Sequence, residues 1–156
     1  MRDDVKKLFD ELLTLLDEKT HYLNNLFENG ICISRLINQK TDNEGEILKV
    51  FNKNNDLIDK IDINDFNISE IKDELTRRYL FDFEKILSDI CLNPESEIMG
   101  FRERVMKHKS LISEILFINE RNYNDMNDTG NDLKQQISEI RRIERIRFIY
   151  PEDKKL

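Results

Sequence analysis

Alanine and tryptophan are missing from this 156-residue chain, and the residues that punctuate a fold are scarce, with 4 Gly, 2 Pro and 2 Cys. So few turn formers exclude a turn-rich all-β fold. No run approaches the ~18 uninterrupted apolar residues of a membrane span, so no spanning helix is expected. The opening MRDDVKKLFDEL is charged throughout, which predicts no secretory signal there. Cys32 and Cys91 stand far apart in the apolar contexts GICIS and SDICL. They read as reduced core thiols, and the expected location is cytoplasmic. The missing alanine and the abundance of Ile, Asn, Lys and Asp look like the codon bias of an AT-rich genome, which says nothing of function.

What is present is charge and periodicity. Net charge is −7 with 37% charged residues, a balance that argues against a general nucleic-acid binder. The length suits a single domain over 1–156, able to bury roughly two-thirds of its unfolded surface. In the first segment Val5, Leu8, Leu12, Leu15, Tyr22, Leu26, Ile33 and Leu36 fall at a and d of one heptad frame. Only Lys19 and Asn29 are out of character, and Phe9, Leu16, Leu23 and Ile37 fill the adjacent e position. So wide a stripe predicts a helix over about 2–38 laid against a core or a partner helix.

After the polar QKTDNEGE, Ile47, Phe51, Ile58 and Ile61 predict a shorter helix over about 46–61. IDINDFNIS alternates briefly but has no partner run, and reads as a connector in which Asn67 or Ser69 caps a third helix over about 69–91. Ile71, Leu75, Tyr79, Phe83, Ile86, Leu87 and Ile90 would face inward there. Asn93-Pro94 marks the sharpest boundary, and a last helix over about 94–149 follows, with Gly130 a candidate break. Its seam runs Ile112, Ile115, Asn119, Asn122, Met126, Thr129, Leu133, Gln136, Ile140, Ile143, Arg147, Tyr150, apolar at both ends and polar in the middle. The predicted fold is all-α, an elongated antiparallel hairpin or bundle of two long helices with two shorter ones between them.

Candidate chemistry is thin. Asp125, Asn127 and Gly130 match three positions of a calcium loop, but its twelfth position, a bidentate Glu, is Gln136 here and its usually apolar eighth is Asp132. Glu18 and His21 make one Glu-x-x-His pair, whereas a di-iron bundle needs two; Val105 precedes His108 where the second Glu would stand. No nucleophile elbow, phosphate loop or Cys-x-x-Cys occurs, so neither enzyme activity nor a metal or other cofactor is expected. Arg141, Arg142, Arg145 and Arg147 form a local basic run, read either as cations complementing a helix C-terminus or as a partner surface. Nucleic-acid binding through that run is the lesser alternative, since it lacks a larger basic face and stacking aromatics.

A leucine-rich first helix, LFDELLTLLDEKTHYLNNLFE, precedes middle helices and a last helix holding LISEILFINERNYNDMN, with Asn119 and Asn122 spaced i, i+3. This order resembles the FlgN/FliT-type flagellar export chaperones, and Asn122 after Glu120-Arg121 best matches the asparagine of their last helix. The chain departs from the family in having no alanine and in placing Gly130 within a segment the family keeps helical. The resemblance implies a cytoplasmic, non-catalytic chaperone of flagellar type III export. It would bind the amphipathic terminal helices of axial proteins (hook–filament junction or cap subunits) and deliver them to the export apparatus as a monomer or weak homodimer. A structural coiled-coil or helical adaptor is the competing reading, weakened by the polar seam from Asn119 to Gln136. From Leu133 the apolar positions drift around the helix: Leu133, Ile137, Ile140 and Ile143 keep one side, while Ile146, Phe148 and Ile149 spread to others. With Arg141, Arg147 and Tyr150, these residues form the expected partner surface.

Overall fold

The computed structural model describes residues 1–39, 43–88 and 95–126. Among them are four helices and no strand: α1 (Asp3–Asn38), α2 (Glu44–Tyr79), α3 (Phe83–Ser88) and α4 (Ser96–Asp125). The all-α class and the pair of long helices are as the periodicity predicts. The chain divides into two compact units, the first formed by Met1–His21 with Ile61–His108, the second by Tyr22–Lys60 with Lys109–Leu156. Each of α1, α2 and α4 contributes a stretch to both.

Asp3 and Asp4 in the first turn of α1 complement the helix dipole, and the Val5 amide donates to Asp4 Oδ1 (2.9 Å). The buried face of α1 is Val5, Phe9, Leu12, Leu16, Lys19, Leu23, Leu26, Gly30 and Ile33. These are the a and e positions of the heptad frame; the d residues Leu8, Leu15, Tyr22 and Leu36 are only half-buried. Asn43, just before α2, is tied back to the end of α1, its Nδ2 donating to the Leu36 carbonyl (3.1 Å) and to Gln39 Oε1 (3.0 Å).

Two predicted helices, 46–61 and 69–91, are replaced by the single α2 and the short α3. The segment read as a connector is helical because its residues keep a three-to-four spacing: Ile61, Asn64, Ile68 and Leu75 are all buried. The apparent alternation arose because Ile63 and Phe66 belong to the opposite, exposed face. The break comes later than predicted, at Leu80, which adopts a left-handed conformation (φ 58°). The Phe81 amide reaches back to the Leu75 carbonyl (3.3 Å), and the Lys85 amide donates to Asp82 Oδ1 (3.1 Å) at the start of α3. The expected end near Cys91 and the start at Pro94 lie outside the described residues, as does Cys91 itself. Cys32, expected in the core, is exposed on α1.

The helix directions follow from the pairs that meet. In the first unit Asp4 meets Tyr79 and Lys19 meets Asp65, so α1 and α2 are antiparallel there. Asp17–Arg104 and Thr20–His108 are 87 and 88 residues apart, and Ser34–Asn122 in the second unit is also 88 apart. So α4 lies parallel to α1 in each unit, and the antiparallel hairpin is α1 with α2. A predicted hairpin between the first and last helices is thereby corrected.

The first unit's core carries an aromatic chain in which Phe9 meets Phe81 edge-on (5.1 Å) and Phe83 meets Phe101 (5.2 Å). In the second unit Ile33, Ile47, Val50, Phe51 and Met126 pack together, with Leu36, Ile37, Leu48 and Tyr123 at the margin. Gly30 lets α4 approach α1: a Cβ at this position would lie 2.8 Å from Ile118 Cγ2. A glycine costs about 1 kcal/mol in a helix interior, which the close approach must outweigh. Gly30→Leu should therefore destabilise the protein by about 1–3 kcal/mol in a urea melt. Gly45→Ala, with nothing within 4 Å, should be neutral or stabilising. A Gly30→Leu protein as stable as its parent would remove the packing argument.

Candidate functional site

The described helices carry their polar side chains inward at a few levels. In the first unit Lys19, fully buried at an a position of α1, meets Asp65 of α2 (Nζ–Oδ1 2.7 Å). Burial pushes the Lys19 ammonium down and the Asp65 carboxyl up from their ordinary values, and each charge opposes the shift of the other. One residue earlier on both helices, Asn64 Nδ2 donates to Glu18 Oε2 (3.2 Å). The Asp17 carboxylate is gripped by both Arg104 Nε (2.7 Å) and Nη2 (3.2 Å), a two-point contact from α4.

His108 of α4 completes this polar level. Its Nε2 lies 2.9 Å from the Leu16 carbonyl and 2.8 Å from Thr20 Oγ1. A carbonyl can only accept, so Nε2 carries the proton; the Thr20 hydroxyl itself donates to the Leu16 carbonyl (3.1 Å). Burial, helped by the nearby Lys19 charge, pushes the imidazole pKa down to about 3, against the pull of the Leu16 carbonyl and Asp17. His108 is therefore a neutral structural donor. The sequence shows it at the 3–4 spacing of the α4 core (Phe101, Val105, His108, Ile112, Ile115), which is the signal that could have found it.

In the second unit the asparagines of the sequence motif come into view. Asn122 is buried and uses both ends of its amide on α1: Nδ2 donates to the Gly30 carbonyl (3.0 Å), and Oδ1 accepts from the Ser34 hydroxyl (2.6 Å). Asn119, one turn earlier, lies beside Gly30 with its Nδ2 buried and no hydrogen-bond partner. Asn29, out of character in the heptad frame, donates to Asn54 Oδ1 of α2 (2.8 Å). The motif asparagines thus sit together against α1, and Asn122 acts as an inter-helix clasp. The expected partner residues Leu133, Ile137, Ile140, Arg141, Ile143, Ile146, Arg147, Phe148 and Tyr150 lie outside the described residues, as does nearly all of the calcium-like stretch after Asp125 and Met126.

Glu18 and His21 are exposed on α1. Among the described residues no three His, Cys, Asp or Glu side chains are grouped as a metal ion would need. No helix among them is long and apolar enough to cross a membrane. Large apolar side chains left exposed among the described residues are Met1, Ile63 and Phe66 of α2, Leu80 just after it, and Met99, Met106 and Phe117 of α4. Compared with known proteins, the chain matches no family model, no curated protein and no solved structure.

Two predictions come from these buried groups. The folded pKa of His108 lies below its unfolded value of about 6.5, so its contribution is complete above that pH and is lost as pH falls toward 3. On the order of 2–3 kcal/mol should disappear between pH 7 and 4.5 in parent melts, and His108→Gln should flatten that slope. An unchanged slope would mean that the acid sensitivity lies in other groups. For the ion pair, Lys19→Met alone should cost roughly 3–5 kcal/mol, because it leaves Asp65 buried without its partner. Joining it with Asp65→Leu should recover most of that loss in the same melts. Equal losses in the single and double variants would show that the two side chains are not coupled.

Proposed function

We propose that this chain is a non-catalytic helical chaperone of the FlgN/FliT flagellar export type. It shields the amphipathic terminal helices of axial proteins and passes them to the export apparatus. The observation that carries this reading is the Asn122 clasp. At the position matching the family's asparagine, the amide spends both its donor and its acceptor inside the fold, on Gly30 and Ser34. An asparagine buried and used in this way fixes α4 beside α1 and is not presented to a client. Client recognition is then assigned to the stretch that follows in sequence, where Leu133, Ile137, Ile140, Ile143, Ile146, Phe148 and Tyr150 are interleaved with Arg141 and Arg147. A sticky amphipathic client helix needs an apolar stripe with polar margins, and each side chain it buries there contributes roughly 1.5–3 kcal/mol.

A helical adaptor is the second reading, favoured by Ile63, Phe66, Met99 and Met106, which stand exposed on α2 and α4.

The test replaces Ile140, Ile143 and Phe148 by polar residues and measures titration calorimetry against purified hook–filament junction and cap proteins of the host. Parent protein should bind one of them, and the triple variant should lose at least a hundredfold in affinity while its far-UV spectrum and melting hold. Unchanged affinity in the folded variant would move the client surface elsewhere. Absence of binding by the parent would remove the chaperone reading.

A further inference from the structure

The polar contacts that hold α4 on α1 repeat. In the first unit His108 Nε2 reaches the Leu16 carbonyl (2.9 Å) and the Thr20 hydroxyl (2.8 Å), and that hydroxyl donates to the same carbonyl (3.1 Å). In the second unit Asn122 Nδ2 reaches the Gly30 carbonyl (3.0 Å) and Oδ1 meets the Ser34 hydroxyl (2.6 Å). That hydroxyl again lies close to the carbonyl four residues before it (3.1 Å). Each clasp has the same three parts: a buried N–H group of α4, a carbonyl of α1, and a hydroxyl one turn further along α1. All three recur after 14 residues, from Leu16 to Gly30, from Thr20 to Ser34 and from His108 to Asn122. Fourteen residues make almost four helical turns, so the parts return to the same face of each helix.

Three groups joined in one cluster support one another, so a clasp is lost as a whole. The two clasps belong to separate compact units, and they are not equally secured. Near His108, Arg104 grips Asp17 of α1 at two points (2.7 and 3.2 Å), and Phe101 of α4 packs on Phe83 (5.2 Å). Near Asn122, the Asn119 Nδ2 is buried without a hydrogen-bond partner, a cost that opening to water relieves. Gly30 also weakens α1 at the level where that clasp closes. We propose that α4 is a strap held on α1 by two equivalent clasps that open independently, the Asn122 clasp of the second unit opening first. Openings of this sub-global kind follow the local balance of contacts, not the stability of the whole fold. The device does not rest on the chaperone reading.

Native-state hydrogen exchange of the full chain, read amide by amide, tests it. In the parent, backbone amides of 101–108 should be protected at least about tenfold more than those of 115–122. Thr20→Val keeps the shape of the side chain and removes the hydroxyl. It should lower protection of 101–108 about tenfold and leave 115–122 as in the parent. Ser34→Ala should do the reverse. Thr20→Ser retains the hydroxyl and should leave both stretches unchanged. Equal protection of the two stretches in the parent would overturn the order of opening. A loss shared by both stretches in either variant would show that α4 opens in a single step, which overturns the independence of the clasps. Protection indifferent to Thr20→Val and Ser34→Ala, or lowered as much by Thr20→Ser as by Thr20→Val, would show that the hydroxyl clasps do not hold the strap.

Discussion

The pairing of Lys19 with Asp65 is the constraint around which the first unit is organised. An ammonium at a core position of α1 is tolerable only where a carboxylate meets it, and removing that partner leaves a charge that burial strongly disfavours. A slip of α2 along α1 by one turn would strand both groups among apolar side chains. Apolar contacts between Leu, Ile and Phe are too forgiving to set such a register, because many offsets bury similar area. The ion pair, with Asn64 on Glu18 beside it, selects one offset. It also explains why the segment IDINDFNIS belongs to a continuous helix: its polar core residues answer polar residues on α1.

The second unit solves the same problem without charge. Asn29 with Asn54 and Asn122 with Gly30 and Ser34 are neutral amide and hydroxyl contacts, each satisfying buried polar groups at modest net gain. Their value lies in direction. An amide that must place both a donor and an acceptor admits far fewer helix placements than a leucine does. The small residue at Gly30 belongs to the same device, since its missing side chain brings the α1 backbone within reach of Asn122 while Ile118 closes over it. The motif asparagine therefore serves the fold, and under the proposed chaperone function recognition is left to the apolar and basic side chains that follow it in sequence. His108 shows the same division in the first unit, being a histidine held neutral as a donor rather than offered to a ligand.

The all-helical class, the span of α1 and the core seam of α4 were written in the chain itself. A heptad rhythm with few breakers leaves little alternative, and the α4 series runs from Phe101 through Met126 at 3–4 spacing, with the half-buried Asn119 between Ile115 and Asn122. Even the oddities were visible, since Lys19 and Asn29 stood out as polar residues interrupting the apolar heptad frame. What they did there could not be read locally. The sequence shows that a lysine falls on an apolar face; that an aspartate 46 residues later answers it depends on how α2 folds back. For the same reason the division of α2 was misjudged: Asn64 and Asp65 look like a connector until Glu18 and Lys19 stand opposite them.

Tertiary structure alone decided the remaining points. The a and e positions of α1, rather than a and d, point most fully inward because α2 and α4 meet it there, as at Lys19 with Asp65 and Gly30 with Ile118. Asn122 became a clasp only when Gly30 and Ser34 were brought to it from 92 and 88 residues away. Cys32 lies in an apolar stretch yet is exposed, because its place on the helix falls between the buried positions Gly30 and Ile33. Periodicity determines that a residue is helical and which neighbours share its face. Which face is covered, and which polar group is answered, is settled by partners distant in sequence, since burial and hydrogen bonding are properties of the assembled helices.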